Sequence, residues 1–284
     1  MSAPTETPSG KPATGIRSRW RPQVVAGTLR VDRWWLGPLL TVLGLAAFVI
    51  YATIRSFWRG AYYVEEYHYL SPFYSPCLSD SCVAGSSHFG TPFGELPMFI
   101  PLAFLSLPIL LLFRLTCYYY RKAYYRSFWF APPACAVAEP HRRYTGETRL
   151  PLILQNVHRY FFYLALLITA VNTYDAVLAF HGRSGGFGFG LGNVILVGNV
   201  VMLWMYTLSC HSCRHVVGGR LKHFSRHPVR YWMWTQVSKI NTQHMLWAWI
   251  TLGTLVVTDL YIMLLDSGVI PRCVSSIDRE SVWL

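Results

Sequence analysis

The chain has 284 residues, of which 53% are hydrophobic and only 13% charged, and its mean hydropathy is +0.30. A soluble domain carries about 25% charged residues, so this composition excludes an ordinary soluble globular protein. The formal net charge of +12 invites nucleic acid or anionic lipid as a partner, but the basic residues follow a membrane topology, so lipid is the expected contact and nucleic acid is not. Seven cysteines are too few and too scattered for a disulfide scaffold.

Residues 1–33 are rich in Pro, Thr, Gly and Arg and lack the apolar core of a signal peptide. They read as a basic cytoplasmic tail that is disordered or lies on the surface. Five apolar stretches follow, each long enough to cross about 30 Å of hydrocarbon at about 1.5 Å per residue. The fold class expected is therefore all-α, an integral membrane bundle of five transmembrane helices over residues 34–268. The first span covers 34–54 and is uncharged; the second covers 96–120, with Arg114 near its end. The third, fourth and fifth cover 152–180, 191–215 and 238–265, and residues 269–284 form an outer tail. Pro38, Pro101 and Pro108 are expected to kink the first two spans, which membranes tolerate.

Charge settles the expected orientation. Eighteen Lys and Arg residues lie in the tail and in the segments joining spans two to three and four to five. The opposite side holds five: Arg55, Arg59, Arg183, Arg272 and Arg279. The positive-inside rule then places the N-terminus in the cytoplasm and the C-terminus outside. The first outer loop contains Cys77 and Cys82, for which a disulfide and two free thiols are both open, with Cys273 a further thiol on that side.

Chemistry-bearing residues gather at the inner ends of the spans. The second ends in Thr116-Cys117-Tyr118, the third opens with Asn156-Val157-His158-Arg159, the fourth closes on residues 208–215 (LSCHSCRH), and the fifth includes Gln243-His244. His158, Cys210 and His244 are expected at a common depth of roughly 7–12 Å inside the interface. On a continuous helix Cys210 and Cys213 share a face, while His211 and His215 fall on another. The sulfur pair therefore needs nitrogen partners from other helices, and His158 and His244 fit. Two thiolates and two imidazoles suit a zinc ion or a Rieske-type [2Fe–2S] cluster, and two axial histidines alone would hold a b haem. The competing reading is that buried Cys serves as a small hydrophobe and that the histidines face headgroups. Intramembrane ionisable groups are expensive and usually functional.

With these residues in place the chain resembles the single-chain, five-helix, cytochrome b-like membrane anchor of succinate dehydrogenases and fumarate reductases, respiratory complex II, and most of all its actinobacterial type. The resemblance covers roughly residues 30–268. It implies the plasma membrane of a bacterium, a docked iron–sulfur subunit with a flavoprotein subunit beyond it, and electron relay to a quinone, menaquinone or ubiquinone. It implies a Rieske-type cluster on Cys210, Cys213, His158 and His244, with Cys117, His211 or His215 as alternates; a single haem b is the alternative centre. The anchor would be part of an oxidoreductase with no complete active site of its own. Tyr119, Arg159, Trp232, Trp234 and Gln243 are candidates for the quinone site, and Arg114 and Arg159 either neutralise charge there or snorkel to headgroups. His68, His88 and His181 offer no outer pair within the spans, so a distal haem is not expected. Asn172, Asp175 and Asp259 lie toward the outer face, Asp175 about 25 Å from His158 along the helix. Interfacial solvation is the expectation for them, and a proton route or second quinone contact the competing one. A small-solute transporter is the alternative function, disfavoured because no repeat is visible and the span midplanes read as apolar. A zinc hydrolase is weaker still, since the nearest acids, Glu139 and Glu147, lie in a loop.

Overall fold

The computed structural model describes residues 33–128, 148, 152–182 and 186–271. The basic tail, most of the loop between the second and third expected spans, Cys273 and the outer tail lie outside them. In chain order the elements are α1 (Leu36–Trp58), β1 (Tyr63–Val64), β2 (Tyr69–Leu70), α2 (Ser106–Leu115), α3 (Tyr118–Phe128), α4 (His158–Leu178), α5 (Leu191–Leu208), α6 (His211–Gly218), α7 (Pro228–Asn241) and α8 (His244–Asp266). Four of these segments are long and apolar enough to cross a membrane: α1, α4 with the 3-10 turn before it, α5 and α8. The centre of the bundle is formed by α4 and α8 packed on α5, while α2 lies on α4, α1 on α3 and α6 on α7.

The second expected span is not one helix. Residues 96–105 are irregular, because Pro97 and Pro101 each remove a donor and push the residue before them out of the helical region. The helix starts at Ser106 and stops again at Thr116–Cys117, leaving ten-residue α2 and eleven-residue α3 where a continuous span was expected. The fourth and fifth spans break as well. Ser209 and Cys210 separate α5 from α6, with Cys210 in extended conformation (φ −62°, ψ 143°), and Thr242 and Gln243 separate α7 from α8. The third changes from 3-10 to α at Val157–His158. Freed backbone groups inside a membrane need partners; the Ser209 carbonyl accepts from Asn241 Nδ2 at 2.6 Å, and the Cys210 sulfur accepts from the Ser212 amide.

At the other end, residues 59–105 form a packed cap in place of a plain loop. β1 and β2 pair antiparallel, Cys77 and Cys82 are disulfide-bonded, and Tyr62, Tyr63, Tyr67, Tyr69, Phe73 and Tyr74 are buried. Tyr69 donates to Asn193 Oδ1 at 2.7 Å and lies flat against Gly192, where an added Cβ would meet its Cε2 at 2.1 Å. Gly192→Ala is therefore expected to lift β2 from α5 and cost about 1–3 kcal/mol, read as a lower unfolding midpoint of the detergent-solubilised protein.

The expected solvation of the outer carboxylates is overturned. Asp259 is 0% exposed and pairs with Arg55 (2% exposed) at 2.6 Å, with Tyr51 and Ser71 also donating to it at 2.6 and 2.5 Å. Asp175 is 4% exposed and bonds to Ser75 and to His88 Nδ1, the latter at 2.7 Å. Folding of the cap over the helix ends removes both from water, which no single-helix depth count can show. The expected apolar midplane also fails: Asn199, at the middle of α5, and Thr169, at the middle of α4, are buried.

Candidate functional site

All four helix breaks open on one cavity of about 330 Å³, walled by Cys117, Tyr119, His158, Arg159, Cys210 and His244 among others. His158 Nε2 lies 3.1 Å from Cys210 Sγ, and His244 Nε2 lies 3.4 Å from Cys117 Sγ. Four donor atoms, two sulfurs and two nitrogens, thus come from four different chain segments. The fold brings His158, Cys210 and His244, expected at a common depth, to the wall of this one cavity. The helical-face argument for Cys213 does not apply, since it assumed an unbroken helix through residues 208–215. Cys213 is buried beside the site, on α6, but lines none of the cavity.

Each imidazole is held on both its edge and its face. Thr116 Oγ1 sits 2.8 Å from His158 Nδ1, and Ser209 Oγ sits 2.7 Å from His244 Nδ1. Phe113 stacks on His158 with centroids 5.0 Å apart and an interplanar angle of 1°; Tyr206 stacks on His244 at 5.1 Å and 11°. This pseudo-symmetric mounting fixes which ring nitrogen faces the cavity, the orienting role that outer partners have at metal sites. Sequence reasoning missed Thr116, Ser209, Phe113 and Tyr206 as orienting groups. Their only sequence signal is a hydroxyl residue beside each break and an aromatic residue a few places away. Among the described residues, no three His, Cys, Asp or Glu side chains converge in the geometry of one ion.

Arg114 does not snorkel. Its guanidinium donates to Tyr120 Oη and to Thr251 Oγ1 at 3.2 Å, and lies 4.6 Å from the Tyr206 ring. A fixed cation thus stands behind the ring that supports His244. Of the expected quinone contacts, Tyr119 and Arg159 line the cavity. Tyr119 accepts from Trp249 Nε1 at 2.6 Å, and Arg159 donates to His215 Nδ1 at 2.7 Å. Trp232 is exposed, Trp234 stacks with Phe224 and Tyr231, and Gln243 contributes only its carbonyl to α8; none of the three reaches the cavity. His211 and His215 are in the wall, as are Asn156 and Gln155, whose buried Oε1 has no partner among the described residues.

Residues 36–268 match the family described as actinobacterial succinate dehydrogenase subunit SdhC. The chain belongs to that family. It is a membrane subunit of a succinate dehydrogenase complex, which removes the transporter alternative. It is also similar to a solved chain of the Mycobacterium smegmatis Sdh1 complex in the apo form, at 74% identity and a TM-score of 0.83, covering 91% of this chain and 97% of that one. No curated protein matches it. The match spans α1 to α8 and so covers the residues of both the cavity and the cap.

Proposed function

We propose that this chain anchors the iron–sulfur and flavoprotein subunits of a succinate:quinone oxidoreductase at the α6–α7 end, in the plasma membrane with its N-terminus in the cytoplasm, and relays their electrons to quinone. The observation that carries the reading is the meeting of Cys117, His158, Cys210 and His244 at one buried cavity. Their chemistry fits a Rieske-type [2Fe–2S] cluster, which takes two thiolates on one iron and two imidazoles on the other. When bound, such a cluster supplies a one-electron carrier of raised potential. A b haem would employ the two histidines and leave two buried thiols without a role, so it fits less well. The Cys77–Cys82 disulfide supports an oxidising compartment at the cap end and hence the orientation.

The chain's own residues prepare the rest. Thr116 and Ser209 hold the imidazoles so that both Nε2 atoms face the cavity. Arg114 favours negative charge arriving behind Tyr206. Arg159, tied to His215, presents a fixed cation at the cavity wall, and Tyr119 a hydroxyl, both suited to quinone carbonyl oxygens. His158→Ala combined with His244→Ala is expected to remove a rhombic EPR signal of low average g from the purified complex, and to abolish quinone reduction while the subunits still assemble. Quinone reduction that survives the double change would refute the relay, and a sharp visible band on reduction in place of the EPR signal would assign haem.

A further inference from the structure

Beyond the cavity, the interior of the bundle carries a second buried polar feature. Thr169, Asn172 and Asp175 are spaced by three residues along α4 and are all buried against the bundle. Positions three apart on a helix are neighbours, with Cβ atoms about 5–6 Å apart. At its inner end the stripe passes to α5, where Thr169 Oγ1 and Thr207 Oγ1 approach to 3.5 Å. Thr207 lies one turn from Cys210, whose amide bonds to the Thr207 carbonyl at 3.2 Å, and beside Ser209, which holds His244. Asn199 of α5, which packs on α4, has a buried Oδ1 with no partner among the described residues.

The outer end opens through histidines. His88, its side chain 6% exposed, has Nδ1 fixed by Asp175, while its buried Nε2 has no partner among the described residues. The His68 ring lies 6.2 Å away, with Nδ1 2.9 Å from Tyr63 Oη, and is partly open to solvent. Burial first, and then His88 and His181 beside it, hold His68 below the usual histidine range, with Glu65 opposing. Imidazoles, carboxyl groups and hydroxyls can each accept a proton on one side and release one on another. Thr169 and Asn172 donate to the Ala165 and Ile168 carbonyls of their own helix at 2.8 and 2.9 Å, while His88 Nε2 and Asn199 Oδ1 are buried with no partner among the described residues. Such groups call for bound water, and one water molecule is long enough to bridge an interval of about 5–6 Å between polar atoms.

We propose that His68, His88, Asp175, Thr169 and Thr207, with water ordered by the Asn172 side chain between Asp175 and Thr169, form a proton path from the cap side of the membrane to the cavity. The path rests on the quinone-reduction reading above and adds the source of the protons. Succinate yields fumarate, two electrons and two protons on the soluble-subunit side. Quinone takes the two electrons and two protons to become quinol, and those two protons are drawn from the cap side.

The whole complex reconstituted into proteoliposomes tests this, with a pH dye trapped in the lumen and succinate available only to outward-facing soluble subunits, so that the cap faces the lumen. The wild type is expected to alkalinise the lumen as quinone is reduced, with a proton ionophore collapsing the signal. Asp175→Asn should lower quinone reduction and alkalinisation together by tenfold or more, with succinate-driven reduction of a water-soluble dye unchanged. Thr169→Val, which removes a hydroxyl at nearly constant shape and keeps the test decisive if Asp175→Asn does not assemble, should lower both three- to tenfold. A wild type that reduces quinone with no lumenal pH change overturns the path and leaves the electron relay standing, as do assembled variants of wild-type quinone-reduction rate.

Discussion

Replacing Arg55 by Met is expected to destabilise the protein by about 3–5 kcal/mol, because it leaves an uncompensated carboxylate in the interior. Asp259 is fully buried, and two hydroxyls donate to it in addition to the guanidinium. Arg55 also ties the end of α1 to the cap through the Gly60 and Ala61 carbonyls at 3.2 and 2.9 Å. Loss of the cation thus removes a charge partner and two backbone acceptors' donor at once. Asp259→Leu alone strands the guanidinium instead, with a cost of similar size. The double change Arg55→Met with Asp259→Leu should recover most of the loss, since exchanging a buried pair for apolar residues of similar volume is often neutral. The thermal midpoint and yield of the assembled complex, measured for both single variants and the double, give the coupling. Additive losses would show that the two groups act independently.

That pair also shows where a sequence stops being informative. Length and hydropathy set α1, α4 and the cap-side ends of α5 and α8 to within a few residues, since a segment that must bury its backbone in lipid has few options, but they ran the other ends of α5 and α8 through the breaks. The second span misled: residues 96–105 are apolar enough to cross, yet Pro97 and Pro101 keep them irregular and they become part of the cap. Asp175 and Asp259 read as interfacial from their depth along one helix, whereas their burial is decided by a segment more than a hundred residues away in sequence for Asp259. His88 is the clearest case. Nothing in residues 86–89 marks it as a partner of Asp175; only the fold of the cap brings them together. At the other end, residue type and position along the spans were enough to expect His158, Cys210 and His244 together, and they line one cavity. The choice between Cys117 and Cys213 depended on where helices break, and hydrophobic periodicity runs through those breaks undisturbed.

The break at Ser209–Cys210 therefore makes a sharp prediction about the sulfurs. If the proposed cluster is bound here, Cys117→Ala and Cys210→Ala are each expected to reduce its EPR signal in the purified complex at least tenfold, whereas Cys213→Ala should leave it in place. Cys117 and Cys210 line the cavity and face His244 and His158 across 3.4 and 3.1 Å, while Cys213, buried on α6, lines none of it. Cys213→Ala then has the effect of a small core truncation, about 1 kcal/mol, visible in the unfolding midpoint and not in the spectrum. Iron content per complex, measured alongside EPR, separates loss of a cluster from loss of its signal. If Cys213→Ala empties the site and Cys117→Ala does not, then α6 must join α5 as one helix in the loaded protein, with Cys210 and Cys213 sharing a face as the unbroken period requires. The broken and continuous forms differ in which sulfur sits beside His244, so the three substitutions report on backbone geometry as directly as on ligation.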